Sequence, residues 1–460
     1  MQCPQRYKIK ALGLYLASCL VFMSAFLPIR PADGKEFSTL SFAKLKNTPG
    51  LLSKSFFLMR QFAGLEIKDL TITRAEFEKV MFINASLRNV TFEECVFTNS
   101  LWAGGEFRNV TFRNCRFDES QFRGVTFDGV SFTGGTIGML RVKPGDQDYT
   151  RQMFERTAFW NIQNNGSLLL DGVKLRHAEF FSVEGGALTL RNMSDFTYDP
   201  EYGRLLKLRN TQVRIENCDI DIAGMDQIAE MELSPGMYIT GSTLRGGKIQ
   251  GERRDAKAPN FYAENSQLLD GFALKWFDTV VLKDCVFRGA LNAENVFLVN
   301  PRLAPGPKTY PPLPSVTGKK VYIQGDNSEA DALYAHGGDE LYIAGMRLNT
   351  LSVSGKLNAL NLYNLKLDNL HFDGGVELNG GAWENVEVIA PMKAASPGVY
   401  KFGSVTAYNV TLHGGSNVKD ARTGLSGSDR HYTVKINAGT KPQLPKNIAV
   451  PTPGKLGIKP

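Results

Sequence analysis

Between residues 62 and 137 a large apolar residue occupies every fifth position, and most residues between them are polar. The series runs Phe62, Ile67, Ile72, Phe77, Phe82, Leu87, Phe92, Phe97, Trp102, Phe107, Phe112, Phe117, Phe122, Phe127, Phe132, Ile137. One α-helix would scatter a five-residue step around its axis, and one flat strand would send alternate rings to opposite faces. Burying every ring needs a chain that turns a corner about every five residues, so that each short side offers one ring to a shared interior. A second column, two residues before each ring, is small or apolar, as at Leu65, Val90, Cys95, Ser100, Cys115 and Val125. Both members of such a pair point inward when the side is extended. Asn89-Val90-Thr91-Phe92 returns as Asn109-Val110-Thr111-Phe112, and Cys95 and Phe97 return as Cys115 and Phe117. The repeat is therefore twenty residues, four sides to a coil.

These residues resemble the pentapeptide-repeat family, strongly over 62–137 and in degenerate form over about 168–412. The resemblance implies an all-β, right-handed parallel β-helix, a quadrilateral solenoid of about 20 residues per coil whose central and i−2 residues are inside. Here the centre is mostly Phe. The structural core is then Phe77, Phe82, Phe92, Phe97, Trp102, Phe107, Phe112, Phe117, Phe122, Phe127 and Phe132. Fold does not by itself give activity.

Outside this stretch the pattern changes. Residues 35–61 lack it and read as an N-terminal cap, with a short helix expected after the Asn47-Thr48-Pro49-Gly50 turn. Residues 138–299 read as an irregular β-helix with corner insertions, carrying short blocks such as Leu170, Leu175, Phe180 and Phe272, Phe277, Leu282, Phe287. Six prolines mark 300–320 as an extended connector. A second, Leu-centred segment follows over 321–415. From Lys441 to Pro460 there are five prolines, four lysines and no acid, so 416–460 reads as a flexible basic tail.

The first 34 residues change the compartment. Arg6, Lys8 and Lys10 precede an uncharged apolar run, Ala11 to Ile29, and small residues follow at Ala32 and Gly34. This predicts a signal peptide of bacterial type. Two alternatives stay open: an uncleaved anchor, since about 20 apolar residues span a bilayer, and lipidation at Cys19 of Leu16-Ala17-Ser18-Cys19. Each places the chain in the periplasm, at the cell envelope or outside the cell, with membrane contact only through this segment.

Little in the chain points to catalysis. The cysteines outside the leader, Cys95, Cys115, Cys218 and Cys285, all precede a core residue by two, and neither they nor the five histidines show metal-ligand spacing. No cofactor is expected. The one compact candidate is Asp219-Ile220-Asp221, two carboxylates flanking an inward Ile, with Lys207, Arg209 and Arg214 near in sequence. The formal charge of +7 includes leader and tail, and the core mixes signs without a phosphate-tracking stripe, so nucleic acid is not expected. Some members of the family look like acidic duplex DNA and bind gyrase-type enzymes; a basic chain with an export signal departs from that. The expectation is an exported, non-catalytic solenoid that binds a protein or glycan or acts as a scaffold. The alternative is a polysaccharide lyase or hydrolase built on Asp219 and Asp221.

Overall fold

A chain that turns every five residues needs a backbone hinge at each corner, and the hinge is the residue two after each ring. From Lys54 and Met59 through Asp69, Asn89 and Asn109 to Gly134, every fifth residue is left-handed, with φ between +47° and +70°. This costs a non-glycine residue roughly 1–2 kcal/mol. Burying one Phe stabilises by about 1.5–3 kcal/mol, so each side offsets its own corner. Gly105 answers a tighter need, because a Cβ there would sit 2.1 Å from the Ala85 carbonyl oxygen.

The computed structural model describes residues 40–139, 157–197, 204–221, 227–232, 234–251, 258–304, 314–389, 393–394, 401–412, 435–438, 441, 443–444 and 448–459. The leader, Cys19 included, lies outside them. Residues 40–459 belong to one unit, and it is a parallel β-solenoid. Phe92 pairs with Phe112, and Phe112 with Phe132. Every core residue named above is at most 2 % exposed. Rings one coil apart stack, as Phe77, Phe97 and Phe117 do at 4.9 and 4.8 Å. Rings on adjacent sides meet edge-on, as Phe92 and Phe97 do at 72°. Both arrangements are favoured for aromatic pairs.

The polar members of the i−2 column are satisfied locally. Ser100 Oγ lies 3.2 Å from the Thr98 carbonyl oxygen and 3.1 Å from that of Phe77, and it accepts from the Val80 amide. The Cys95 and Cys115 thiols make the same contact two residues back, to Glu93 and Arg113. A small donor at this position closes the corner, which is why Ser and Cys recur inside an apolar column.

The N-terminal boundary differs from the expectation. The helix, α1 (Phe42–Asn47), precedes the turn, with Ser41 accepting from the Lys44 amide. A 3₁₀ turn occupies Pro49–Leu52. Phe57 already pairs with Phe77, and Leu52, one pentad earlier, is 1 % exposed. The solenoid therefore starts within the segment read as cap, and α1 closes its open end with Leu45 buried.

One inward column runs through the whole middle of the chain. Phe132 pairs with Leu170, then come Leu190, Ile215, Ile239, Ala263, Leu282, Leu298 and Ile323. Segments outside the described residues, such as 140–156 and 252–257, fall between these paired strands. The ladder also passes the proline-rich segment. Residues 305–313 lie outside the description, yet Leu291 pairs with Val316 and Val296 with Val321. Extended, ladder-bonded backbone then continues from Ser315 to Val388.

The end of the chain takes a different course from the flexible tail expected. Lys435–Ala438 pairs with Ser404–Ala407 as a further coil. Residues 448–459 lie on the outside of the solenoid, with Ile458 only 1 % exposed.

Candidate binding surface

The Asp219-Ile220-Asp221 strand has Ile220 buried and both carboxylates exposed. The strand pairs with Thr243–Arg245, and Arg245 forms an ion pair with Asp219. The other cations expected nearby are engaged elsewhere: Arg214 pairs with Glu216, and Arg209 with Glu232 at 3.5 Å. Lys207 lies two strands earlier, on Arg204–Arg209, with Gln212–Glu216 between. The structure thus joins Asp219 to an arginine absent from the sequence candidates and does not gather Arg209 and Arg214 around the carboxylates. Among the described residues, no group of three or more His, Cys, Asp or Glu is placed to hold a metal.

The thiols of Cys115, Cys218 and Cys285 are poor nucleophiles. Cys95 and Cys115, stacked on neighbouring coils, are free and buried. Its neighbour Cys95 and burial together push the Cys115 thiol far above the usual range. Burial raises Cys218 and pushes Cys285 up to about 12. A protonated, enclosed thiol neither attacks nor ligates.

A surface groove of about 440 Å³ runs along one corner of the later coils. Its corner residues Asn364, Asn385 and Asn409 are left-handed. Their side chains form an amide ladder, in which Asn409 Nδ2 donates to Asn385 Oδ1 at 2.8 Å and Asn385 Nδ2 to Asn364 Oδ1 at 2.7 Å. Buried Met346, Leu365 and Val386 form the floor. The walls are charged: Lys366 pairs with Glu387 at 2.9 Å, and Arg347 bridges Glu329 and Asp368 at 3.5 and 3.6 Å. Such a groove repeats donors, acceptors and both charge signs at the coil spacing, about 4.8 Å. It suits an extended, polar, repeating ligand.

Sequence reasoning passed over this groove, because its lining is polar and comes from residues about a coil apart. It also passed over a second outer feature. The residue before each inward one changes from Thr91, Thr111 and Ser131 to Tyr238, Tyr262, Val281, Phe297 and Tyr322 in the later coils. The signal lay in the doublets Tyr238-Ile239, Tyr262-Ala263 and Tyr322-Ile323, where an aromatic precedes a core residue. Burial, with the Glu264 carboxylate beside it, pushes the Tyr238 phenol up to about 12.

The model of the pentapeptide repeat region matches residues 54–122, a span that takes in the Phe57 strand and the most regular coils. No curated protein and no solved structure matches the chain.

Proposed function

We propose, for a solenoid that opens on a pentapeptide repeat region, that the protein is an exported, non-catalytic binding or scaffold module. Its amide-lined corner groove would hold an extended glycan or peptide. The observation that carries this reading is the groove itself, where identical amide groups recur on successive coils above an apolar floor. A rigid stack of sides offers a partner a long, preorganised set of contacts. Pentapeptide-repeat folds serve in general without catalysis, and Arg209 and Arg214, which the lyase or hydrolase alternative would gather at its carboxylates, pair instead with Glu232 and Glu216. Export rests on the uncharged run Ala11 to Ile29 behind its basic start.

A glycan array and an envelope-derived peptidoglycan pull-down, run with the native chain and with Asn385→Ala/Lys366→Ala, test the binding half. The double variant should lose a ligand that the native chain retains. A ligand bound equally by both contradicts the groove assignment. Mass spectrometry of the mature N-terminus tests the other half: a start near Lys35, or an acylated Cys19, is expected under export, and an intact Met1 form in the cytoplasm contradicts it.

A further inference from the structure

A stack of parallel coils is close to one-dimensional, because each coil touches only its neighbours and can open independently of coils further off. Asn89 and Asp69, hydrogen-bonded on neighbouring coils, are 20 residues apart. One segment of the chain breaks that rule. The Ile448 amide donates to Gln324 Oε1 at 3.0 Å across 124 residues. Asn260 Nδ2 donates to the Leu456 carbonyl at 2.8 Å across 196, and Gln212 Nε2 to that of Lys459 at 2.9 Å across 247. Earlier in the same segment, Lys441 pairs with Glu384 at 3.2 Å. As the segment advances from Lys441 to Lys459, its partners retreat from Glu384 to Gln212, so its described residues form a strap on the outside of the coils.

The coils offer this strap a shaped seat. The outward position before the inward residue is Thr91, Thr111 and Ser131 in the first coils. In later coils it becomes Tyr238, Tyr262, Val281, Phe297 and Tyr322, in register. Tyr238 and Tyr262 stack at 5.8 Å, and Phe297 and Tyr322 at 5.2 Å. Tyr238, Tyr262, Val281 and Ile458 form a hydrophobic cluster separate from the interior core, with Phe297, Val450 and Leu456 packed against it. Gly236 leaves the space for Ile458, since a Cβ there would stand 2.9 Å from Ile458 Cγ1. The strap's own 3₁₀ turn, Gly454–Leu456, sets its anchors, and the Ile458 amide donates to the Pro453 carbonyl at 3.0 Å. Pro451 and Pro453 reduce the freedom lost on seating. The Glu384 side chain is only 5 % exposed and has Lys441 as its counter-charge, so lifting the strap strands a buried carboxylate.

We propose that the strap is an intramolecular latch. Closed, it ties the coils that carry Gln212, Asn260, Gln324 and Glu384 into one cooperative unit. Open, it leaves every coil folded but able to fluctuate alone, and it uncovers Tyr238 and Tyr262. Two features carry this. Contacts across 124, 196 and 247 residues are ties that a nearest-neighbour stack lacks, and closing so long a loop costs little more entropy than closing a short one, because the cost grows with the logarithm of length. The covered cluster is also separate from the interior core, so the latch can open while the core stays closed. The inference rests on contacts within one chain, independent of the export and groove reading.

The full-length variant Leu456→Asp/Ile458→Asp sets two carboxylates against the aromatic column and should open the latch, with the circular dichroism spectrum still native. Hydrogen exchange in the strands Gln212–Glu216, Gly236–Thr240 and Asn260–Glu264 should become at least ~10-fold faster, while Met81–Glu93 and Leu101–Arg113 in the first coils keep their rates. Acetylation by N-acetylimidazole should rise in step at Tyr238 and Tyr262, which are 6 % and 5 % exposed with the strap seated. Gln212→Ala/Asn260→Ala removes two of the strap's hydrogen bonds and keeps its anchors; it should give the same pattern to a smaller degree, and it carries the test alone if the aspartates unfold the chain. Exchange or acetylation that stays at the wild-type level in a folded variant overturns the latch. Exchange that accelerates equally in the first coils overturns it too, since the strap would then be a general stabiliser and not a tie between particular coils.

Discussion

Each corner sets one left-handed residue against one buried ring, so the effect of a substitution depends on which of two adjacent positions it strikes. Phe112 is 1 % exposed and stacks on Phe92 and Phe132. The side chain of Arg113 is half exposed and meets Glu93 at 3.3 Å. Phe112→Ala should cost about 3–5 kcal/mol, whereas an exposed pair of this kind contributes about 0.2–1 kcal/mol. Urea midpoints of the two variants check this, and Arg113→Ala should lie close to wild type. Asp171 adds a pH dependence. Its side chain pairs with Arg191 at 2.7 Å, and that bond, with a second from Asn192, holds its carboxyl below the usual range. A depressed carboxyl contributes stability above its unfolded value, about 3.9, and loses it as pH falls through the folded one. Asp171→Asn should therefore be less stable than wild type at pH 7, and the gap should close below about pH 4. Chemical denaturation at pH 7 and pH 3 measures it.

At the scale of elements, the regular coils were legible from sequence because each ring and its i−2 partner must both face inward. The start of the solenoid was not legible: Phe57 continues the five-residue series one place before Phe62 with a small Ser55 at i−2, but the charged Arg60 two before Phe62 interrupts the second column there. The hinge residues carried a signal that went unread, since Asn, Asp and Gly two places after many rings are the residues that tolerate a left-handed backbone. The strap was hidden by composition. Proline and lysine dominate it, and its anchors Val450, Leu456 and Ile458 follow no helical or strand period, so nothing local shows that they are buried. For the candidate site, Asp219 and Asp221 were read correctly as flanking an inward Ile, but their partner Arg245 lies one coil on, where sequence proximity gives no guidance.

At the scale of the molecule, the account stands on one stack of parallel coils that passes unbroken from the pentapeptide repeat region across the proline-rich segment. Blocks that look separate in sequence share a core because insertions leave at corners and the chain rejoins the same ladder. The pair Asn292 and Thr317 tests this directly, since the two are register partners on either side of the prolines. The native cysteines outside the leader are buried and will not compete for a thiol reagent. In the double variant Asn292→Cys/Thr317→Cys, a short bifunctional thiol cross-linker spanning about 5 Å, the strand spacing, should join the two sites rapidly in the native chain. Peptide mapping should recover the 292–317 link, and it should vanish on unfolding in urea. Failure to link, while each single variant reacts fully with a monofunctional reagent, would contradict a continuous solenoid.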